Sequence, residues 1–249
     1  MSHNPQELKQ HFLSKICPDM NFCHLFEGLS GVLFFAKDIH GKIIMGNKLF
    51  VHHCGFNSEE ELVGKDDNEI FPSELAEQYR GDDRLIIESG QSKTNIIELF
   101  PNYLGDPIWF MTNKMPIFDR NKKIIGVWGT CQSYEDSSEF SRPYLELSKA
   151  IDFIKENYAK KMTLESLAEK VNLSKRQFER RFKEVFKTTV HQYILKLRIL
   201  KSCDMLTKGV LTTAGISLDV GFFDQSAYTK HFKNFMGMTP LQYQKKKQV

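Results

Sequence analysis

Two kinds of hydrophobic spacing divide the chain. Between residue 25 and about 133, apolar side chains alternate or run in short blocks. In VLFFAKDIHGKIIMGN two such runs flank an Asp-His-Gly turn and predict a β-hairpin. Further strands are predicted at 92–100, 107–117 and 123–132, with short helices at 47–54, 58–63 and 73–89, the last closed by Gly90. The two-residue period of IWFMTNKMPI puts Trp109, Met111, Asn113 and Met115 on one face. Past the polar stretch YEDSSEFSRP the spacing becomes helical, at 144–158, 163–171, 174–186, 189–207, 212–220 and 224–236. The pattern therefore predicts an α+β domain from about 25 to 133, a linker at 134–143 and an all-α domain at 144–249.

The all-α part repeats itself. At an offset of 50, Thr163, Phe182, Lys183, Thr189, Gln192 and Tyr193 meet Thr213, Phe232, Lys233, Thr239, Gln242 and Tyr243. Similar residues fill the register at Phe178 and Tyr228, Arg180 and Lys230, and Leu173 and Phe223. Each copy reads as a helix, a turn (TLESLAEKV-NLS, TTAGISLDV-GFF) and a second helix capped by Ser174 or Asp224. At about 100° per residue, Phe178, Phe182 and Val185 form an apolar stripe opposite Arg176, Arg180 and Lys183. In the second copy Tyr228, Phe232 and Phe235 anchor, with Ser226, Lys230 and Lys233 facing out and Gln225 at the helix start.

Charge sharpens this picture. Residues 1–140 hold 13 Lys/Arg against 21 Asp/Glu, a balance of −8, whereas the remainder holds 21 against 10, a balance of +11. The basic half is the candidate polyanion binder. Arginine pairs bidentately with guanine and glutamine with adenine, while lysine holds phosphates. Two such helices on one body suit successive major-groove segments about 34 Å apart. Cysteines 17, 23, 54, 131 and 203 lack metal or CxxC spacing and read as reduced and packed. The N-terminus lacks a signal pattern, and no apolar run reaches membrane-spanning length, so a cytoplasmic protein is expected. There is no GxSxG, HExxH or P-loop, so no catalytic residues and no enzyme activity are expected.

The segments LAEKVNLSKRQFERRFKEVF and ISLDVGFFDQSAYTKHFKNFMGMTPLQY resemble the AraC/XylS family of bacterial transcription regulators over about residues 147–245. That resemblance implies seven helices, two helix-turn-helix units and a long bridging helix around 190–206. It assigns base reading to Lys175, Arg176, Glu179 and Arg180, and to Gln225, Ser226, Thr229 and Lys230. Lys183 and Lys233 are expected at phosphates; Arg198 either meets phosphate or caps the bridge, and Glu179 either reads cytosine or pairs with Lys175 or Lys183. Lys187, Val190 and Ser217 depart from the family pattern, where glycine, proline and alanine are usual.

The run FFAKDIHGKIIMGNKLF, with VGKDDNEIF, MTNKMPIFD and KKIIGVWGTCQS, resembles a PAS domain. Over about residues 22–133 it implies a five-stranded antiparallel sheet with helices over one face, a cavity between them, and, ahead of the domain, a helical extension at 1–21 whose helix at about 5–16 forms a homodimer. Asn47 is expected as an N-cap. PAS cavities take haem, flavin, a metabolite or nothing. GKDDNEIF lacks the flavin-site cysteine and EQYRGDDRLII lacks a haem histidine, which argues against both cofactors. What remains is a small apolar or aromatic ligand lined by Phe34, Phe50, Phe71, Trp109, Met111 and Trp128, or plain packing of those side chains. Together the resemblances imply a sequence-specific DNA-binding regulator. By family analogy it is an activator that meets RNA polymerase, controlled by a ligand or a dimer change in the PAS domain. The alternative is a PAS domain that only dimerises or binds a partner, with no ligand.

Overall fold

A computed structural model describes residues 24–102, 108–133, 146–209 and 211–247. The expected helix at 5–16 and the linker at 134–143 lie outside them. The N-terminal part contains α1 (His24–Glu27), β1 (Val32–Asp38), β2 (Ile43–Gly46), α2 (Lys48–His53), α3 (Glu59–Leu62), α4 (Asp67–Ile70), α5 (Ser73–Ser89), β3 (Lys93–Leu99), β4 (Trp109–Phe118) and β5 (Ile124–Ser133). The strands form one antiparallel sheet in the order β2-β1-β5-β4-β3. Asn47 caps α2 through Phe50 N, and its side chain also accepts from Phe34 N and donates to the Val32 and Phe26 carbonyls. One side chain thus ties the hairpin to the helices that follow.

Strand register sorts the two faces of the sheet. Ala36, Trp128 and Met115 are cross-strand partners, as are Gln132, Met111 and Ile97, so Trp109, Met111, Asn113 and Met115 do share a face. It is the outer one. The inner face carries Phe35, Lys37, Glu98, Lys114 and Cys131, which meet Phe50, Phe71, Tyr79 and Phe100 around a residual void of about 10 Å³. That volume holds at most one water. Cys54, Cys131 and Cys203 are free thiols buried in the core, and burial pushes the thiols of Cys131 and Cys203 up to about 12.

Among the described residues the C-terminal part has seven helices: α6 (Ser148–Asn157), α7 (Leu164–Glu169), α8 (Lys175–Phe186), α9 (Val190–Lys208), α10 (Thr213–Asp219), α11 (Gln225–Met236) and α12 (Pro240–Lys247). The long helix α9 lies between the two repeats, and its buried Tyr193, Leu197, Leu200 and Cys203 join their cores. The two domains also pack on each other. Trp109 meets Phe186 edge-on at 4.8 Å and stacks on Tyr193 at 5.7 Å, while Lys196 pairs with Glu74 at 2.7 Å. Helix α11 rests on α5, with Gly237 against Ser73.

Candidate nucleic-acid interface

The second helix of each unit begins with a side-chain cap. Ser174 and Gln177 form a capping box on α8, and Asp224 accepts from Ala227 N at 2.7 Å on α11. Caps fix the direction of each first turn by satisfying backbone N–H groups that have no partner within the helix. Phe178, Phe182, Val185 and Phe186 are buried on α8, as are Tyr228, Phe232, Phe235 and Met236 on α11. Lys175, Arg176, Glu179, Arg180 and Lys183 consequently stand in solvent, together with Gln225, Ser226, Lys230 and Lys233, while Thr229 is half-buried.

Some expected roles change on contact with the geometry. Lys175 pairs with Glu165 on α7 at 2.9 Å rather than being reserved for Glu179, and this contact raises the Lys175 pKa. Arg180 lies 3.7 Å from Glu184 along the helix, an exposed pair that little energy holds in place. Arg198 donates to the carbonyls of Tyr158 (2.7 Å), Gly221 (2.7 Å) and Lys160 (3.2 Å). The guanidinium clamps the end of α6 to the second unit's turn and is half-buried there.

The structure also corrects the repeat register. Asn172 N donates to Glu169 O and Leu173 N to Ala168 O; the matching bonds are Gly221 N to Leu218 O and Phe222 N to Ser217 O, an offset of 49. Thr163 and Thr212, also 49 apart, cap α7 and α10. The offset becomes 50 only at the caps Ser174 and Asp224. Leu173 therefore matches Phe222, Thr163 matches Thr212, and Phe223 is an extra residue. Sequence identity at an offset of 50 had concealed this slip.

The expected ligand lining divides as well. Phe50 and Phe71 border the inner void, but Phe34 stacks on Phe26 at 4.3 Å, Trp109 is in the domain contact, and Met111 and Trp128 belong to the outer face. Alternation shows which residues share a face, not which face turns inward. Sequence reasoning missed the buried charges of the interior. Lys37 reaches Asp67 at 2.7 Å and Asp83 at 3.0 Å, and Lys114 reaches Asp83 at 2.8 Å. Burial works against the charge on both lysines, but the facing carboxylates outweigh it and raise their pKa values. Burial lifts that of Glu98. A lysine in an inward position of the alternation, in FFAKD and again in TNKMP, was the available signal. A larger cavity of about 250 Å³ lies between the domains, bordered by His53, Phe71, Pro101, Cys203, Met236 and Tyr243. Burial lowers the His53 pKa to about 4, so its ring is neutral at pH 7.

Comparison with known proteins agrees with this architecture. A helix-turn-helix domain family matches residues 167–246, and a PAS fold family matches residues 26–138. The chain joins a PAS fold to an AraC-type helix-turn-helix domain. It is 32% identical over 111 residues to the Msm operon regulatory protein of Streptococcus mutans, covering 45% of this chain and 39% of that protein. It is also 32% identical over 99 residues to the Melibiose operon regulatory protein of Escherichia coli, covering 40% and 33%. The chain thus spans less than two-fifths of the length of these curated relatives. Among solved structures, the C-terminal domain of AraT, a response regulator from Geobacillus stearothermophilus, is 27% identical and covers 44% of this chain and 91% of that one, with a TM-score of 0.41. Among the described residues no helix is long and apolar enough to cross a membrane, and no group of three His, Cys, Asp or Glu side chains could hold a metal ion.

Proposed function

We propose that the protein is a sequence-specific DNA-binding transcription regulator whose PAS domain governs how its two reading helices are presented. The observation that carries this reading is the pair of capped helices, α8 and α11. Each has a polar, exposed first turn, and each is held at its far end by the PAS domain. Trp109 touches Phe186 at the end of α8, and Ser73 touches Gly237 at the end of α11, so a shift of the PAS domain bears on both helices at once. The contact includes a buried Trp109 indole N–H with no acceptor among the described residues.

Control by a small apolar ligand and control by dimerisation are both compatible with this coupling. The inner void, with room for at most one water, favours dimerisation over a ligand held inside the PAS domain. Trp128 and Met115, cross-strand partners exposed on the outer sheet face, offer a surface for it. Native mass spectrometry distinguishes the two: a purified dimer of bare mass supports the second, and added mass on the chain supports the first. Activation through contact with RNA polymerase follows the family resemblance, and a reporter driven by the bound site tests it.

Selection from fragmented genomic DNA tests the main reading. Wild-type protein should enrich a discrete site, and Arg180→Ala combined with Lys230→Ala should lose it. Binding without a preferred sequence, or unchanged affinity in the double variant, overturns sequence-specific reading.

A further inference from the structure

The extra residue of the second unit, Phe223, is 94% exposed, whereas its neighbour Phe222 is buried and Leu173, the match of Phe222, is partly buried against the core. One inserted residue between the left-handed turn at Gly221 and the cap at Asp224 pushes an aromatic ring out of the protein. Single exposed apolar residues are common on protein surfaces, so exposure alone means little; the position is what matters. Phe223 stands directly before the cap of α11, continuous with exposed Gln225 and Ser226, and Leu218 on α10 is exposed nearby in the chain. In helix-turn-helix proteins the first turn of the second helix is what meets base edges. The adjoining Asp224 carboxylate is turned back onto the helix N-terminus, which leaves Asp219 as the other exposed carboxylate in this stretch. The major groove displays one apolar group, the C5-methyl of thymine, and phenylalanine is among the side chains that pack on it.

We infer that Phe223 is an apolar DNA contact that packs on a thymine methyl in the groove entered by α11. The inference rests on the DNA-reading function proposed above. It makes the second unit a methyl reader as well as a hydrogen-bonding one.

The test replaces thymines of the selected site one at a time with uracil, which removes only the methyl, and measures binding of the full chain. For wild-type protein, uracil at one or two positions of one half-site should weaken binding about fourfold, the worth of one buried methyl. Phe223→Ala should weaken binding to the thymine site several-fold more than that and become indifferent to uracil there, whereas Phe223→Leu should keep part of the sensitivity. Thermal unfolding of both variants should match wild type, because the ring touches water. If Phe223→Ala binds as well as wild type, or binds weakly with its uracil sensitivity intact, the inference is overturned. Intact DNA affinity with reduced reporter transcription also overturns it, in favour of a protein contact. Should the wild-type protein enrich no site, both readings fall; if it enriches one and Phe223→Ala is silent, only this one does.

Discussion

The two helix-turn-helix units share a plan but solve its awkward points with different residues. At the turn between helices the first unit uses Asn172 (φ 54°) and the second Gly221 (φ 88°); at the end of the reading helix the first uses Lys187 (φ 53°) and the second Gly237 (φ 76°). Left-handed backbone is easy for glycine, tolerable for asparagine and costly for lysine. The exposed faces of the second helices differ too. The first presents Lys175, Arg176, Arg180 and Lys183, while the second presents Lys230 and Lys233 alongside Gln225, Ser226 and the extra Phe223. The first unit's exposed face is mainly charged, whereas the second's mixes charge with amide, hydroxyl and aromatic groups. The comparison teaches that a repeat conserves the buried stripe and the caps while leaving turns and exposed faces to diverge.

The largest test of that contrast is at the turns. A Cβ on Gly221 would lie 2.3 Å from the Ala159 carbonyl oxygen, in a backbone region that side chains rarely adopt. Gly221→Ala should therefore cost about 3 kcal/mol or more of stability, read from the denaturant midpoint. Asn172→Gly, at the matching place, should stay within about 0.5 kcal/mol of wild type. Equal effects would mean that the two turns are equivalent after all. Arg198, which joins the units, comes next. Removing its three carbonyl contacts in Arg198→Met should cost about 2–4 kcal/mol, with no change in the salt dependence of DNA binding. A phosphate role would instead lower the magnitude of the log–log salt slope by about 0.9.

Smaller, and aimed at the reading faces, is the exchange of charge. Replacing Arg176 and Arg180 by glutamine should cost about 1–3 kcal/mol of binding and flatten the salt slope by up to about 1.8. Gln225→Ala with Ser226→Ala should relax sequence preference while leaving the slope unchanged. If both pairs flatten the slope alike, the contrast between the mainly charged face and the mixed one has no bearing on binding.

How much of this was legible depended on whether a single period carried it. The stripe of Phe178, Phe182 and Val185 follows from helical spacing, and burial confirms it; the strands around Trp109 follow from alternation in the same way. The face that Trp109 turns inward or outward did not follow, because alternation is symmetric about the sheet and only the packed helices break that symmetry. The slip at Phe223 was hidden by the residues beyond it, which return to an offset of 50. Arg198 was ambiguous because its acceptors are backbone carbonyls on α6's exit and the second turn, and carbonyls leave no mark in a sequence. The Lys37–Asp67–Asp83–Lys114 cluster joins strands and helices far apart in the chain, so it needed the fold before its members could be seen together.

The smallest expected effect isolates backbone strain from everything else. Lys187 N donates to Lys183 O at 3.0 Å and Gly237 N to Lys233 O at 2.9 Å, so both helix ends close the same way and differ chiefly in the residue asked to turn left-handed. The Lys187 side chain is exposed, so Lys187→Gly removes little packing and relieves the conformational penalty, partly offset by the greater freedom of glycine in the unfolded chain. A gain of about 0.5–1 kcal/mol is expected in the denaturant midpoint. The reverse change, Gly237→Lys, should lose more than the forward change gains, because its Cβ would come within 2.7 Å of Ser73 Oγ and press on the PAS helix that α11 rests against. If Lys187→Gly gives no gain, strain at the helix end is not what separates the first unit from the second, and the difference must lie in their exposed faces.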